Sequence, residues 1–163
     1  MVAEECAAVQ NACGITDLSG TAKYRITGPD AYAFLDKLSC NKLPQKDGRI
    51  GLTLFHAPNG GIMAEQSISR ISENEFLLMG ALGSELKDLN WMQWHKGDFD
   101  VSIDNITDSW GGLLLTGPKA RDILEQVCLD DLSNSGFPWL SCKNIQIDSA
   151  PIFAMRVSYA GEL

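Results

Sequence analysis

The sequence predicts an α+β fold with mostly antiparallel sheets and helices packed against them. Short apolar runs follow one another through glycine-containing turns, which is typical of antiparallel strands. Segments with a 3.6-residue apolar period separate groups of these runs and predict helices. A strand, a Thr-Gly-Pro turn and a helix also occur twice, with the turns at Thr27 and Thr116. We therefore expect two related α+β units whose strands can meet in a shared site, with a chance match as the alternative.

Composition argues against several classes of protein. The chain has 163 residues, of which 45% are hydrophobic and 21% charged, and this is the profile of a soluble globular protein of one domain or two small ones. A net charge of −8 without a cluster of Lys and Arg argues against a nucleic-acid surface. No apolar run approaches the roughly 20 residues that cross a bilayer, and the amino terminus lacks a basic region, so we expect an intracellular protein without a membrane partner.

The cysteines and histidines predict neither disulfides nor a metal site. The five cysteines are odd in number and widely spaced, without a Cys-x-x-Cys pair, which favours reduced thiols over disulfides or structural zinc. His56 lies beside a turn and His95 near a helix end, and nothing pairs them with a third ligand.

The fourth predicted element of the chain is an amphipathic helix. In chain order we predict a helix over residues 4–12, a short extended link over 15–20, a strand over 22–27 and a helix that begins at Gly28-Pro29-Asp30. The second helix has proline at its first position and an acid in its first turn. Its apolar face consists of Ala31, Phe34, Leu35 and Leu38. Such a face must pack on a sheet.

A hairpin is predicted next, around Asn59-Gly60-Gly61. These residues supply the positive φ angles that tight hairpin turns demand, and residues 49–57 and 62–71 on either side have the composition of strands. Glu65 lies just inside the second strand, where a carboxylate is favoured by neither β propensity nor core burial. It is therefore either solvated or functional.

The second half of the chain continues with alternating strands and helices. In order we predict a strand over 75–81, a helix from 84 to about 95, strands over 99–106 and 110–115, a helix after the second Thr-Gly-Pro turn, a loop over 128–138, and strands over 144–147 and 152–159. Ser84 is the expected N-cap of the first of these helices and Gly97 its stop. Its predicted apolar stripe consists of Leu86, Leu89 and Met92, with Trp91 and Trp94 on or beside it. Because the sequence ends straight after a strand, we expect a fragment of a longer protein.

Two carboxylates are the remaining candidates for chemistry. The sequence contains no Gly-x-Ser-x-Gly elbow, Gly-x-x-x-x-Gly-Lys phosphate loop or Gly-x-Gly-x-x-Gly dinucleotide turn. Glu65 and Glu162 each lie at a strand end or turn beside glycine, where backbone can approach a ligand closely. Taken singly, each is either a surface charge or a ligand contact.

Eight segments, taken in order, resemble one family. They are residues 14–19, 22–24, 27–31, 60–62, 76–78, 117–118, 131–133 and 156–162. Together they look like the tetrahydrofolate-binding domain of the aminomethyltransferase (glycine cleavage T-protein) superfamily. The resemblance is closest to the folate half of dimethylglycine and sarcosine dehydrogenases, where segments like residues 83–89 and 105–108 also occur in register. It runs nearly end to end, so residues 1–163 are expected to be the N-terminal part of an aminomethyltransferase-like folate-binding domain.

The resemblance implies roles for four residues. Glu65 would be the catalytic acid that faces the pteridine nitrogens carrying the one-carbon unit. Glu162 would hydrogen-bond the polar edge of the pteridine ring, with Tyr159 and Gly80 as weaker candidates for the pocket wall. Ala64-Glu65 is the single-acid form that we associate with the dehydrogenases, whereas glycine-cleavage aminomethyltransferases usually show two consecutive aspartates at this point.

The resemblance also implies a reaction, a cofactor and partners. A formaldehyde-level carbon released by demethylation of an N-methylglycine would be captured on tetrahydrofolate, with FAD confined to a separate segment not present in this sequence. The implied partners are folate, a small methylated amine or its iminium product, and a flavin domain, in the bacterial cytoplasm or the mitochondrial matrix. Two alternatives stay open: a stand-alone aminomethyltransferase of the glycine cleavage type, and a non-catalytic regulatory module that keeps the fold.

Overall fold

Antiparallel sheets with packed helices make up both units of the chain, as the sequence predicts. The computed structural model describes residues 2–158. One unit comprises residues 19–112, and the other comprises residues 2–18 together with residues 113–158. In chain order the elements are α1 (Val2–Asn11), β1 (Gly14–Asp17), β2 (Thr21–Thr27), α2 (Ala31–Leu38), β3 (Ile50–His56), β4 (Ile62–Ser72), β5 (Glu75–Leu82), α3 (Glu85–Lys96), β6 (Ser102–Asn105), a 3-10 turn (Thr107–Ser109), β7 (Leu113–Thr116), α4 (Ala120–Leu124), β8 (Ser141–Ile147) and β9 (Ala150–Arg156).

A five-stranded sheet forms the centre of residues 19–112. Its strand order is β3-β4-β5-β2-β6, and every neighbouring pair is antiparallel. Helices α2 and α3 contribute to the same buried cluster as the sheet. The fully buried members of this cluster include Tyr24, Phe34, Phe55, Phe76 and Met92. Alternate strand residues therefore face the helices, as the two-residue period of a strand requires.

The predicted hairpin is present between β3 and β4. Gly60 has a φ of +82°, the left-handed conformation that glycine adopts without steric cost. The Gly60 N–H donates to the Ala57 carbonyl at 2.8 Å, and the Ala57 N–H donates to the Gly61 carbonyl at 2.8 Å. The turn fixes the pairing of the two strands, with Leu54 directly opposite Glu65.

The other unit contains two separate two-stranded sheets. β1 pairs with β7 and β8 pairs with β9, both antiparallel. A small buried cluster of Cys128, Leu132, Phe137 and Ile145 forms its core.

All five cysteines are free thiols. Within residues 2–158, no helix has the length and apolarity that crossing a bilayer requires.

The two Thr-Gly-Pro turns have the same local conformation. Gly28 and Gly117 have φ angles of +136° and +116°, and each accepts a hydrogen bond from the backbone three positions later, at 3.1 and 3.0 Å. A Cβ atom would lie 2.3 Å from the Asp100 carbonyl oxygen at the first position and 2.7 Å from the Ala12 carbonyl oxygen at the second. Only glycine fits at either turn, which favours a true repeat over a chance match.

The structure corrects the predicted apolar stripe of α3. Leu86 and Trp94 are 69% and 82% exposed, so neither belongs to the buried face. The buried residues of this helix are Asp88 and Met92, which lie four positions apart and therefore on one face. A buried acid at this position breaks the apolar pattern from which the sequence stripe was inferred.

Several boundaries also differ from the predictions. Residues 15–20 were expected as a link, but Gly14–Asp17 forms β1 because β7 supplies a partner far along the chain. β6 covers only Ser102–Asn105 of the predicted 99–106, since a tight turn precedes it, in which the Val101 N–H donates to the Phe99 carbonyl. β7 begins at Leu113 rather than at residue 110.

Candidate functional site

Glu65 lies on the face of the five-stranded sheet that the helices do not cover. It is exposed and sits on β4 opposite Leu54, while its neighbours Ala64 and Gln66 are buried toward the helices. Its carboxylate forms no hydrogen bond or ion pair with another residue of the described chain. A charge held on a rigid strand without a protein partner is free to accept hydrogen bonds from a ligand.

An open depression of about 270 Å³ adjoins this carboxylate. It is lined by Cys40, Asn41, Leu52, Thr53, Leu54 and Glu65. Two hydrogen bonds to β3 hold the loop that forms one wall: the Cys40 N–H donates to the Leu54 carbonyl at 3.0 Å, and Asn41 Nδ2 donates to the Leu52 carbonyl at 2.8 Å. The depression therefore combines apolar side chains, one amide and one carboxylate on fixed backbone.

A polar cluster, formed by the buried Gln66 and Asp88 together with Ser84 and Lys87 nearer the surface, lies on the helix side of the sheet behind Glu65. Asp88 is 1% exposed, and its Oδ2 accepts hydrogen bonds from Gln66 Nε2 at 2.8 Å and from Ser84 Oγ at 2.7 Å. Its Oδ1 pairs with Lys87 Nζ at 2.6 Å. A buried carboxylate needs such partners to remain charged. The cluster ties α3 to β4 at the residue next to Glu65.

Gly80 is adjacent to the buried part of this cluster. It lies on β5 and pairs with Gln66 across the strands. A Cβ atom at this position would lie 2.8 Å from Gln66 Nε2 and 3.1 Å from Asp88 Oδ2. Its side-chain position is thus turned to the face opposite Glu65, and the structure supplies a packing reason for glycine there. A role of its backbone in a ligand pocket stays a prediction.

Tyr24 extends the polar contacts between the sheet and α3. Its hydroxyl donates to the Glu85 carbonyl at 2.7 Å. Burial raises the pKa of Tyr24 well above its usual range, and the charges of Asp88 and Glu85 add to that effect. The hydroxyl therefore stays protonated and acts as a hydrogen-bond donor at neutral pH.

The other two predicted site residues, Tyr159 and Glu162, lie outside the described residues. Of the four candidates the structure thus describes Glu65 and Gly80. They lie on the neighbouring strands β4 and β5 but face opposite sides of the sheet. Sequence reasoning missed the buried pair of Gln66 and Asp88. Alternation along β4 was the available signal, because it places Gln66 on the same face as the apolar residues two positions before and after it.

Comparison with known proteins gives a consistent result over the whole length. Residues 1–163 match the family described as the GCVT N-terminal domain. The chain is 40% identical to human mitochondrial dimethylglycine dehydrogenase, over 99% of this chain and 19% of that protein. It is 33% identical to an aminomethyltransferase of Thermoanaerobacter pseudethanolicus, over 99% of this chain and 44% of that protein. It therefore spans less than half the length of either relative.

A solved structure shares the fold. The glycine cleavage system aminomethyltransferase T of Bartonella henselae superposes with a TM-score of 0.83 over 98% of this chain and 42% of that one, at 22% sequence identity. The resemblance inferred from the eight segments is thus confirmed at the level of the family and of the fold. The chain belongs to the GCVT N-terminal domain family.

Proposed function

We propose that this chain is the folate-binding portion of a one-carbon transfer enzyme of the dimethylglycine dehydrogenase kind. The observation that carries the proposal is the free carboxylate of Glu65, fixed on β4 beside a depression whose lining includes Leu52 and Leu54. The higher identity to dimethylglycine dehydrogenase than to the aminomethyltransferase, 40% against 33%, supports the choice of relative.

The side chains around Glu65 fit the chemistry of a reduced folate. A pteridine is a flat ring system whose edge carries N–H donors, and it would find apolar contact at Leu52 and Leu54 and an acceptor at Glu65. Tetrahydrofolate supplies two amine nitrogens that a formaldehyde-level carbon can bridge, with loss of water. Glu65 would accept the proton released from the attacking nitrogen. Glu162 would accept hydrogen bonds from the polar ring edge, and Tyr159 and Gly80 would contribute to the wall.

The remaining parts of the reaction are assigned to other segments. Oxidation of the methylated amine would take place at a flavin in a separate segment, and this domain would receive the small amine's released carbon. The proposed compartment is the mitochondrial matrix or the bacterial cytoplasm. A glycine-cleavage aminomethyltransferase is the second candidate, because the similarity to such an enzyme also covers 99% of the chain.

Substitution of Glu65 tests the proposal. Tetrahydrofolate is titrated into the chain and binding is followed by tryptophan fluorescence, while transfer is measured as the rate at which formaldehyde is loaded onto tetrahydrofolate above the uncatalysed rate. Glu65→Gln keeps the size of the side chain and removes its charge, so we expect unchanged binding and a transfer rate lower by about 100-fold. Glu162→Gln should instead weaken binding.

Two results would contradict the proposal. Transfer by Glu65→Gln at the rate of the unaltered chain would remove Glu65 from the mechanism. Absence of folate binding would favour the regulatory module. Asp36→Asn, a substitution of an exposed acid on α2, is the matched control and should change neither quantity.

A further inference from the structure

Two arginines converge on one residue in the unit that contains residues 113–158. Arg121 on α4 and Arg156 at the end of β9 both donate to one atom, Asn134 Oδ1, at 2.8 and 2.6 Å. The two donor nitrogens, one from each guanidinium, therefore cannot be farther apart than the sum of these two distances. Two positive charges converge on a single neutral acceptor.

Neither guanidinium has an anionic partner among residues 2–158. Ion pairs among the described residues involve other cations, namely Arg25, Arg70 and Lys87. The second contact of Arg156 is again neutral, with Nη1 donating to the Phe137 carbonyl at 2.5 Å. Burial lowers the pKa of Arg156, and the charge of Arg121 adds to that effect. In a chain of net charge −8, an arginine pair to which the described residues supply no carboxylate is unusual, and several of its N–H donors have no acceptor among those residues.

An open cavity adjoins the pair. It has a volume of about 660 Å³ and is lined by Arg121, Asn134, Trp139, Arg156 and Ser158. This volume lies within the range of small-molecule sites. The indole of Trp139 is 54% exposed, so an apolar surface is available beside the two cations for the carbon skeleton of a ligand.

We propose that Arg121, Asn134, Trp139 and Arg156 form a binding site, the two-arginine site, for a small organic molecule that carries a carboxylate or phosphate group. The planar guanidinium fork matches both oxyanions, and two forks can hold the three oxygens of a phosphate or the two of a carboxylate. An oxyanion would also neutralise the repulsion between the two arginines. The inference does not rest on the folate proposal, because its argument uses none of the residues that are assigned to folate.

Titration with simple oxyanions tests the two-arginine site. Inorganic phosphate and succinate are each titrated into the chain by calorimetry at low ionic strength. We expect one molecule of at least one of them to bind per chain, more weakly as salt is added. Binding of phosphate alone would assign a phosphate group to the ligand, and binding of succinate alone would assign a carboxylate. Binding of neither would overturn the proposal.

Two variants locate the binding. Arg121→Gln removes one guanidinium and should weaken binding at least about tenfold, whereas Arg25→Gln, at an exposed arginine paired with Glu75, should leave it unchanged. Asn134→Asp has nearly the same shape but places a fixed carboxylate between the two guanidiniums. It should abolish anion binding while the melting temperature is kept or raised. Anion binding that persists in Asn134→Asp refutes the site even if Arg121→Gln fails to fold.

Discussion

Gly80→Ala is the sharpest test of the packing behind Glu65. Alanine is ordinarily preferred to glycine within a strand by roughly 0.5–1 kcal/mol, so a free position would gain stability. At Gly80 the added methyl lies 2.8 Å from Gln66 Nε2, 3.1 Å from Asp88 Oδ2 and 3.2 Å from Gln66 Oε1. Both neighbours are buried, at 0% and 1% exposure, and cannot move into solvent.

The magnitude follows from the contacts that must change. Overpacking a closed site costs about 1–3 kcal/mol, and loss of the buried hydrogen bond from Gln66 to the charged Asp88 costs about 1.5–3 kcal/mol. After the intrinsic preference for alanine is subtracted, we expect Gly80→Ala to lower the free energy of unfolding by about 3 kcal/mol. Urea unfolding followed by far-UV circular dichroism measures this value.

A double-mutant cycle identifies the cause. Gln66 supplies two of the three closest atoms, so in a Gln66→Ala background the cost of Gly80→Ala should fall below about 1 kcal/mol. Gly111→Ala is the matched control, because its nearest neighbour is Ser19 Oγ at 3.7 Å, and it should change stability by less than about 0.5 kcal/mol. Equal effects of Gly80→Ala and Gly111→Ala, or an undiminished cost in the Gln66→Ala background, would refute the reasoning.

Three further predictions concern ionisation and the repeated turn. Tyr24→Phe should lower the free energy of unfolding by about 1 kcal/mol at neutral pH. Above pH 10 the variant should lose stability less steeply than the unaltered chain, since the raised folded-state pKa of Tyr24 makes its ionisation oppose folding there. Alkaline unfolding followed by circular dichroism measures both effects, and parallel curves for the two chains would contradict the prediction. Ser133→Ala should raise the pKa of Asp131, because hydrogen bonding from the Ser133 side chain is the largest cause of its lowered value. The lowered pKa contributes stability that is lost as the pH falls through it. If the Asp131 carboxyl resonance titrates at the same pH in the variant and in the unaltered chain, this cause is wrong. Gly28→Ala and Gly117→Ala should each lower the melting temperature through strain of about 1–3 kcal/mol or more, and a variant with the original melting temperature would show that its turn tolerates a side chain.

Local signals in the sequence were sufficient for the hairpin and for the ends of α3. Asn59-Gly60-Gly61 dictates a turn whatever surrounds it, and Ser84 and Gly97 flank the helix as predicted. Ser84 differs from the expected N-cap in one respect. Its oxygen accepts no hydrogen bond from a backbone N–H of the first turn. Its O–H lies within donating distance of the Asp88 carboxylate at 2.7 Å and of the Ala81 carbonyl at 2.9 Å, and the charged carboxylate is the stronger of these two acceptors.

Contacts between distant positions could not be predicted from local patterns. β1 exists because β7 pairs with it, and a four-residue apolar and polar mixture has no strand signal of its own. The convergence of Arg121 and Arg156 on Asn134 likewise depends on a helix, a loop and a strand meeting in space. By contrast, Glu65 was predicted as a candidate because a carboxylate in a strand is locally unexpected, and the structure shows that it is exposed.

The register in which β3 pairs with β4 determines which side chains of β4 lie on each face of the sheet. Glu65 and Gln66 are neighbours, and one points to solvent while the other lies against Asp88. A slip of β4 by one residue against β3 would invert β4, turn the Glu65 carboxylate toward the Asp88 carboxylate and carry the Gln66 amide outward. A change in the length of the loop around Gly60 should therefore be tolerated only where it leaves the register of the two strands unchanged.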